Sequence, residues 1–477
     1  MRKLESQYDV IIVGAGIGGL VCGCYLAKAG MKVLIVEQHD KVGGYCTSFN
    51  REGFTFEAGA VEDLSEGSFF REIIEELNIN INITRLSPNL LIYTPNDKIR
   101  LGIMIDEIIN YFQERFPKER ASTEKFFRFI EKYSIASVYY KYKDKTFDQL
   151  LDEYFRDEDL RKILNMVLSQ IGAVHSRVSA LSAITYFRSF VLGGGYYPEG
   201  GLQRFSEAFA TKFKEFGGEV KLSTSVRKIV VNRGKATGIV LSNGEEISAD
   251  FVISNADAMQ TFVKLIDHKN IRKDSLSLIE KLVPSVSVFI VYLGIKKKIG
   301  EKFENCHEIW DTKNCDDDPF NRFASGSNFN EATIYCYAPS FRDASMAPLN
   351  CESISLCVFT PSFERTFWES KREVFTKMMI ERISKTLSFS ETDIIVKETA
   401  IPQTLHRYTL NIGGAFKGWA PILGQVDIST MPAKTEIENL FLAGHWVTTG
   451  AGESGVPQAA YSGRKVSQLI LRSIKKA

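Results

Sequence analysis

The sequence predicts an α/β protein: a Rossmann-type domain built on a parallel sheet, interleaved with a mixed α+β domain and a helical segment. Three observations predict it. A β-branched run at Tyr8–Val13 is broken by Gly14-Ala15-Gly16-Ile17-Gly18-Gly19, continues as a small-residue helix over Leu20–Ala29 and re-enters a buried strand at Lys32–Val36. That βαβ order requires parallel strands. A second buried run, Leu440–Ala443, stands near the far end of the chain before a glycine-rich turn and a helix over Gln458–Leu471. The length, 477 residues, exceeds what one core supports. The expected division is a discontinuous first domain of residues 1–68, 191–262 and 401–477, a helical segment over 69–190, and a further domain over 263–400.

The elements between follow from pattern. Ile105, Ile108, Ile109, Phe112 and Phe116 recur at helical spacing. Residues 109–155 hold 13 aromatics in 47 positions, against 12% for the whole chain. Such density fits an apolar tunnel, a membrane-dipping face or ordinary helical core. GGGYYPEGG at 193–201 reads as a loop, and Leu202–Phe216 as a helix ended by Gly217-Gly218. Val220–Leu222, Val226–Asn232, Thr237–Leu241 and Glu246–Ser248 read as strands, with Asn243-Gly244 as a hairpin turn. Phe251–Ser254 reads as one more buried strand.

Composition narrows the function. Lys plus Arg number 59 against 58 Asp plus Glu, a net charge of +1. No broad basic field exists to neutralise phosphates, so nucleic acid is not an expected partner. Eight cysteines lie scattered, with no CxxC pair and no zinc spacing. Thiols so placed indicate a reducing, cytoplasmic compartment, and no metal site is expected. No apolar stretch beyond the βαβ start is long enough to span a bilayer.

The glycine motif carries chemistry. Gly14 permits a tight turn, Gly16 lets backbone approach a pyrophosphate seated on the helix N-terminus, and Gly19 allows close helix–strand packing. Glu37, at the end of the second strand, accepts hydrogen bonds from ribose hydroxyls. An acid there favours a free 2′-hydroxyl, hence FAD or NAD. The doublet Gly43-Gly44, which carries the chain back past the pyrophosphate, selects FAD. Near the far end, Pro457 suits the first turn of a helix. That helix would aim its positive end at the pyrimidine edge of a flavin.

Four stretches resemble the phytoene desaturase-like flavoproteins, which include bacterial carotene desaturases, carotene isomerases and retinol saturases. They are GAGIGGL…VEQHDKVGGYCTSF at 14–49, FTFEAG at 54–59, GGYYPEGGLQRFSEAF with ADFVISNAD at 194–257, and ENLFLAGHWVTTGAGESGVPQAAYSGR at 438–464. The resemblance implies FAD pyrophosphate on Gly14, Gly16 and Gly19, ribose on Glu37, adenine on the backbone of Val226, and the flavin ring against Gly444, Gly452, Gly455 and Val456. Two residues depart from the family's habit. His445 replaces a common acid and either contacts the cofactor phosphates, transfers a proton or holds its loop. Glu453 replaces a common apolar residue and is the candidate catalytic group, either a general acid–base or a partner of the helix dipole. Cys46 is a packed residue or a redox group.

The implied activity is hydride transfer from an allylic C–H of a long, apolar, polyene-type terpenoid to FAD, at a membrane surface reached peripherally. The rivals are a saturase or isomerase on the same fold, an amine or porphyrinogen oxidase, and a non-enzymatic prenyl-lipid carrier. The intact Gly14, Gly16, Gly19 and Glu37 argue against the carrier.

Overall fold

The computed structural model describes residues 7–59, 64–65, 70–86, 90–102, 104–306, 308–313, 329–362, 364–427, 429–448 and 455–475. The expected βαβ unit forms β1 (Tyr8–Val13), α1 (Ile17–Lys28) and β2 (Val33–Val36). β1 lies between β2 and the strand Glu246–Ser254, parallel to both, with Val10 opposite Val33 and Phe251. Glu219–Lys221 extends the sheet beyond β2, and Leu440–Leu442 adds in parallel against Val252–Ser254. The sheet thus joins segments from both ends of the sequence.

Glu246–Ser248 and Phe251–Ser254, read as separate strands, are one strand with two jobs. Its first residues pair antiparallel with Gly238–Val240. Its last residues pair parallel with β1. The Asn243-Gly244 turn makes the first half a hairpin, and β-branched burial makes the second half sheet core.

A second seven-stranded sheet is mostly antiparallel. Its order is Ile394–Ala400, Ser287–Ile295, Glu352–Thr360, Ile334–Tyr337, Glu308–Asp311, Leu90–Tyr93 and Lys98–Leu101. The period-two rule divides its central strand between two cores. Phe289, Val291 and Leu293 face Trp368, Met379 and Ile383 of the helix Arg365–Leu387. Val288, Ile290 and Tyr292 face the helical segment.

The segment 69–190 is not wholly helical. Leu90–Tyr93 and Lys98–Leu101 form a hairpin in the second sheet, closed where the Thr94 N–H donates to the Asp97 carbonyl at 2.9 Å. Gly195–Pro198, read as loop, is a strand pairing with Ile83–Leu86. The polar turn Pro95-Asn96-Asp97 and the glycines before Tyr196 mask these short strands.

The aromatic block is core. Phe112, Phe126, Phe127, Tyr142, Phe147 and Phe155 are fully buried. The Phe126 ring lies 5.2–6.5 Å from the rings of Phe127, Phe147, Tyr154, Phe155 and Phe187. Short helices such as Arg120–Lys132, Phe147–Tyr154 and Glu158–Val167 cannot stand alone, and these rings are what they close on. A membrane-dipping role for Phe126 and Phe127 is therefore excluded; Tyr140 is the exposed aromatic of the block. No described helix is long and apolar enough to cross a membrane.

Candidate cofactor and active site

A groove of about 320 Å³ runs along the carboxyl end of the first sheet. That is where ligands bind parallel sheets, because the strand ends and helix N-termini converge there. Gly14, Gly16, Glu37, Gly43, Gly44, Val226, Gly444, His445, Gly455 and Val456 all line it. Gly19 does not. A Cβ there would stand 2.3 Å from the Gly14 carbonyl oxygen, so its role is to let α1 approach β1. Gly452 and Glu453 lie outside the described residues.

Local geometry fixes each part. The Glu37 carboxylate is buried and accepts from the Ala15 N–H at 2.7 Å and the His39 N–H at 3.0 Å. It therefore stands across the mouth of the glycine turn. Gly14 takes φ +97°, and a Cβ on Gly16 would lie 2.9 Å from Asn255 Nδ2. Gly43 sits at φ +123° and donates to the Ala15 carbonyl at 2.9 Å, tying the doublet beside the turn.

The groove takes a dinucleotide on these grounds. Its wall beside α1 is largely glycine backbone, at Gly14, Gly16 and Gly18, and that helix is capped by Gly16 with no side-chain cap, so its N–H groups stay open for an anion. The buried Asn255 Oδ1 has no hydrogen-bond partner. Glu37 supplies the hydroxyl acceptor at the far end.

The opposite end is apolar and aromatic. Tyr45 donates to the Ala415 carbonyl at 2.9 Å and packs edge-on against Phe416 at 5.5 Å. Burial pushes the Tyr45 hydroxyl up to about 12. His445 lies 6.0 Å from the Tyr45 ring, and burial lowers its pKa to about 4, which makes it neutral. Gly455 and Val456 begin the helix Gly455–Ile474 at this end. Cys46 is buried, and its carbonyl accepts from Ser206 Oγ at 2.6 Å.

Two resembling stretches meet behind the groove. Glu57 accepts from Tyr197 Oη, from Ser48 Oγ at 2.7 Å and from the Leu202 N–H at 3.1 Å. It thereby caps the helix Gly201–Glu215, which packs on the Gly43–Cys46 turn through Ser206. Burial raises the Glu57 carboxyl to about 7.

Sequence reasoning missed Asn255, Asp257, Tyr45 and Phe416. Asn255 and Asp257 follow the central strand at the sheet's carboxyl end, a position that marks ligand contacts. Asp257 accepts from the Ile412 N–H at 2.9 Å and so ties the 411–416 segment to the groove. Tyr45 and Phe416 carry no local signal; tertiary folding brings them together.

A family model described as flavin-containing amine oxidoreductase matches residues 17–471. The chain belongs to that family. As a member of it, and of its phytoene desaturase-like branch, it is an FAD-dependent oxidoreductase. It is 27% identical to the chloroplastic prolycopene isomerase of Daucus carota, over 96% of this chain and 79% of that one. It is 24% identical to the neurosporene-forming phytoene desaturase of Rhodobacter capsulatus, over 98% and 95%. An oxidoreductase from Methanosarcina mazei shares its fold, with TM-score 0.72, 17% identity and coverage of 96% and 99%. Among the described residues, no group of three His, Cys, Asp or Glu is placed to hold a metal ion.

Proposed function

We propose that this oxidoreductase desaturates a long, apolar, polyene-type isoprenoid. One observation carries the reading. The Tyr45–Phe416 end of the groove is lined by two aromatic rings, a neutral histidine and a buried thiol, and its one nearby carboxylate among the described residues, Asp257, has both oxygens taken by the backbone N–H groups of Gln260 at 2.8 Å and Ile412 at 2.9 Å. Such an end favours a hydrocarbon over an amine, which needs a carboxylate or aromatic cage with a charge partner. The likeness to a phytoene desaturase and a prolycopene isomerase supports the same substrate class.

Bound FAD would supply a two-electron acceptor for a hydride from an allylic C–H, the positive charge spreading along the conjugated chain. The protein's share is placement. Gly14, Gly16, Gly43 and Gly44 hold the pyrophosphate, Glu37 the ribose and Val226 the adenine. Gly444, His445, Gly455 and Val456 hold the ring, while Tyr45 and Phe416 exclude water beside it. Forming the double bond also releases a proton, and Glu453, which with Gly452 comes just before Gly455 in the sequence, is the residue we assign to take it. Glu453→Gln should retain FAD and lower turnover about tenfold; unchanged turnover would return Glu453 to a dipole partner. The substrate partitions into lipid, so we propose that the enzyme collects it at a membrane surface.

Anaerobic mixing of the oxidised holoenzyme with a hydrocarbon polyene should bleach the flavin and lengthen the conjugation of the product. A product isomerised without bleaching would replace desaturation by isomerisation, and no response to any polyene would sink the substrate class.

A further inference from the structure

Two segments that wall the cofactor groove touch each other at both of its ends. One is the stretch from Glu37 to Cys46 that follows β2; the other is the segment 408–416, which runs off the helix Pro402–Thr409. At the Glu37 end, the His39 ring lies 5.6 Å from the Tyr408 ring, and His39 Nε2 hydrogen-bonds to the Tyr408 carbonyl. At the opposite end, Tyr45 Oη donates to the Ala415 carbonyl at 2.9 Å and the Tyr45 ring packs on Phe416. A dinucleotide laid from Glu37 to Tyr45 therefore passes between two segments that are clasped at each of its ends.

The segment 408–416 is fastened by side chains. Among the described residues, the backbone–backbone hydrogen bonds between Tyr408 and Ala415 stay within the segment and the end of its own helix. The Leu410 N–H donates to the His406 carbonyl at 2.7 Å, and the Gly414 and Ala415 N–H groups donate to the Asn411 and Ile412 carbonyls at 2.9 Å. Side chains from separate elements make the ties to the rest of the protein. Besides Tyr45, Asp257 accepts from the Ile412 N–H at 2.9 Å, Trp446 Nε1 donates to Asn411 Oδ1 at 2.9 Å, and Ser287 Oγ donates to the Gly414 carbonyl at 2.8 Å. Such ties can be released without unzipping a sheet or a helix. Three residues of the segment are left-handed: Leu410 at φ +56°, Gly413 at +60° and Gly414 at +68°. That region disfavours a side chain, so Leu410 gains by rotating out of it. Tyr408 and Leu410 are exposed, which leaves the outer face of the segment in solvent.

We infer that residues 408–416 form a strap that closes over FAD and must lift for the cofactor to enter or leave. Leu410 and the pair Gly413-Gly414 are its hinges, the few positions that absorb the change of backbone angle. Tyr45 is its latch: the ring borders the groove while the hydroxyl holds the wall shut. FAD carries a bulky ring system at each end, so it cannot thread lengthwise past ends that are clasped. The inference concerns the cofactor alone and holds whatever substrate the enzyme takes.

The test is the kinetics of FAD exchange. Association is followed by flavin fluorescence after stopped-flow mixing of full-length apoprotein with free FAD. Dissociation is followed by chasing holoenzyme that carries radiolabelled FAD with an excess of unlabelled FAD. In wild type the observed association rate should level off as FAD rises, because opening of the strap limits it. Tyr45→Phe should raise both that plateau and the dissociation rate about threefold to tenfold, the weight of one neutral hydrogen bond, so that Kd moves less than either rate. Leu410→Gly, which frees a hinge and leaves the latch intact, should raise both as well. An association rate that stays linear up to about 1 mM FAD in wild type overturns the strap, and needs no variant to fold. A plateau that neither variant moves overturns it too, and faster dissociation alone would make Tyr45 an ordinary cofactor contact.

Discussion

Glu37 holds two backbone N–H groups and faces the groove through its remaining lone pairs, so a cation at this position would break the turn and repel nothing useful in its place. Glu37→Arg should leave FAD content after gel filtration below about a tenth of wild type, measured by absorbance after acid release; full retention would remove Glu37 from the ribose site. Glu57 acts differently, through its proton. Folding raises its carboxyl from the ordinary 4.5 to about 7, so the folded state keeps a proton that the unfolded chain has released. Its contribution to stability is complete below about pH 4.5 and is lost as pH rises to about 7. That loss amounts to ~3 kcal/mol. Denaturant midpoints taken across the window should therefore fall more steeply for wild type than for Glu57→Gln. Glu308, also raised to about 7 by burial, leaves a residual slope in the variant. Parallel slopes would mean that Glu57 is ionised throughout.

Between elements, α1 and the helix Gly455–Ile474 approach backbone to backbone. A Cβ on Gly463 would lie 2.3 Å from the Gly18 carbonyl oxygen and 3.0 Å from the Cys22 nitrogen. Both obstacles are backbone, so the helices must separate to admit it. Gly463→Ala should cost about 1–3 kcal/mol and loosen FAD, since α1 and Gly455 both border the groove; thermal unfolding with and without added FAD measures each effect. This scale also shows what the sequence made legible. The β1–α1–β2 unit, Glu37 and the helix after Gly455 could be read because strand, glycine spacing and acid are all local signals. The pairing of Tyr45 with Phe416, and of Glu57 with Tyr197 and Leu202, could not, because only the folded chain brings those positions together. The hairpin Leu90–Leu101 was hidden by four-residue strands, too short for periodicity to register. Gly463 gave no signal because its constraint lies in another helix.

For the molecule as a whole, the buried rings around Phe126 tie the helix Arg120–Lys132 to the helix Phe147–Tyr154 and to Phe187. Phe126→Ala should lower global stability by about 3–5 kcal/mol, seen in denaturant unfolding of the holoenzyme. Wild-type protein should float in part with liposomes, and a correctly folded Phe126→Leu should float equally well. Loss of flotation in that variant would return these rings to the lipid.

The first sheet has a consequence for how the chain is made. α1 is buried on nearly every side, yet the helix that covers one flank and the strand Leu440–Leu442 are synthesised about 400 residues later. During translation its apolar flank has no native cover, so the nascent protein must be shielded by a chaperone or by transient non-native contacts. A ribosome-stalled chain ending before residue 440 should then be captured by holding chaperones and digested readily, and release of the last segment should make it resistant in a single step.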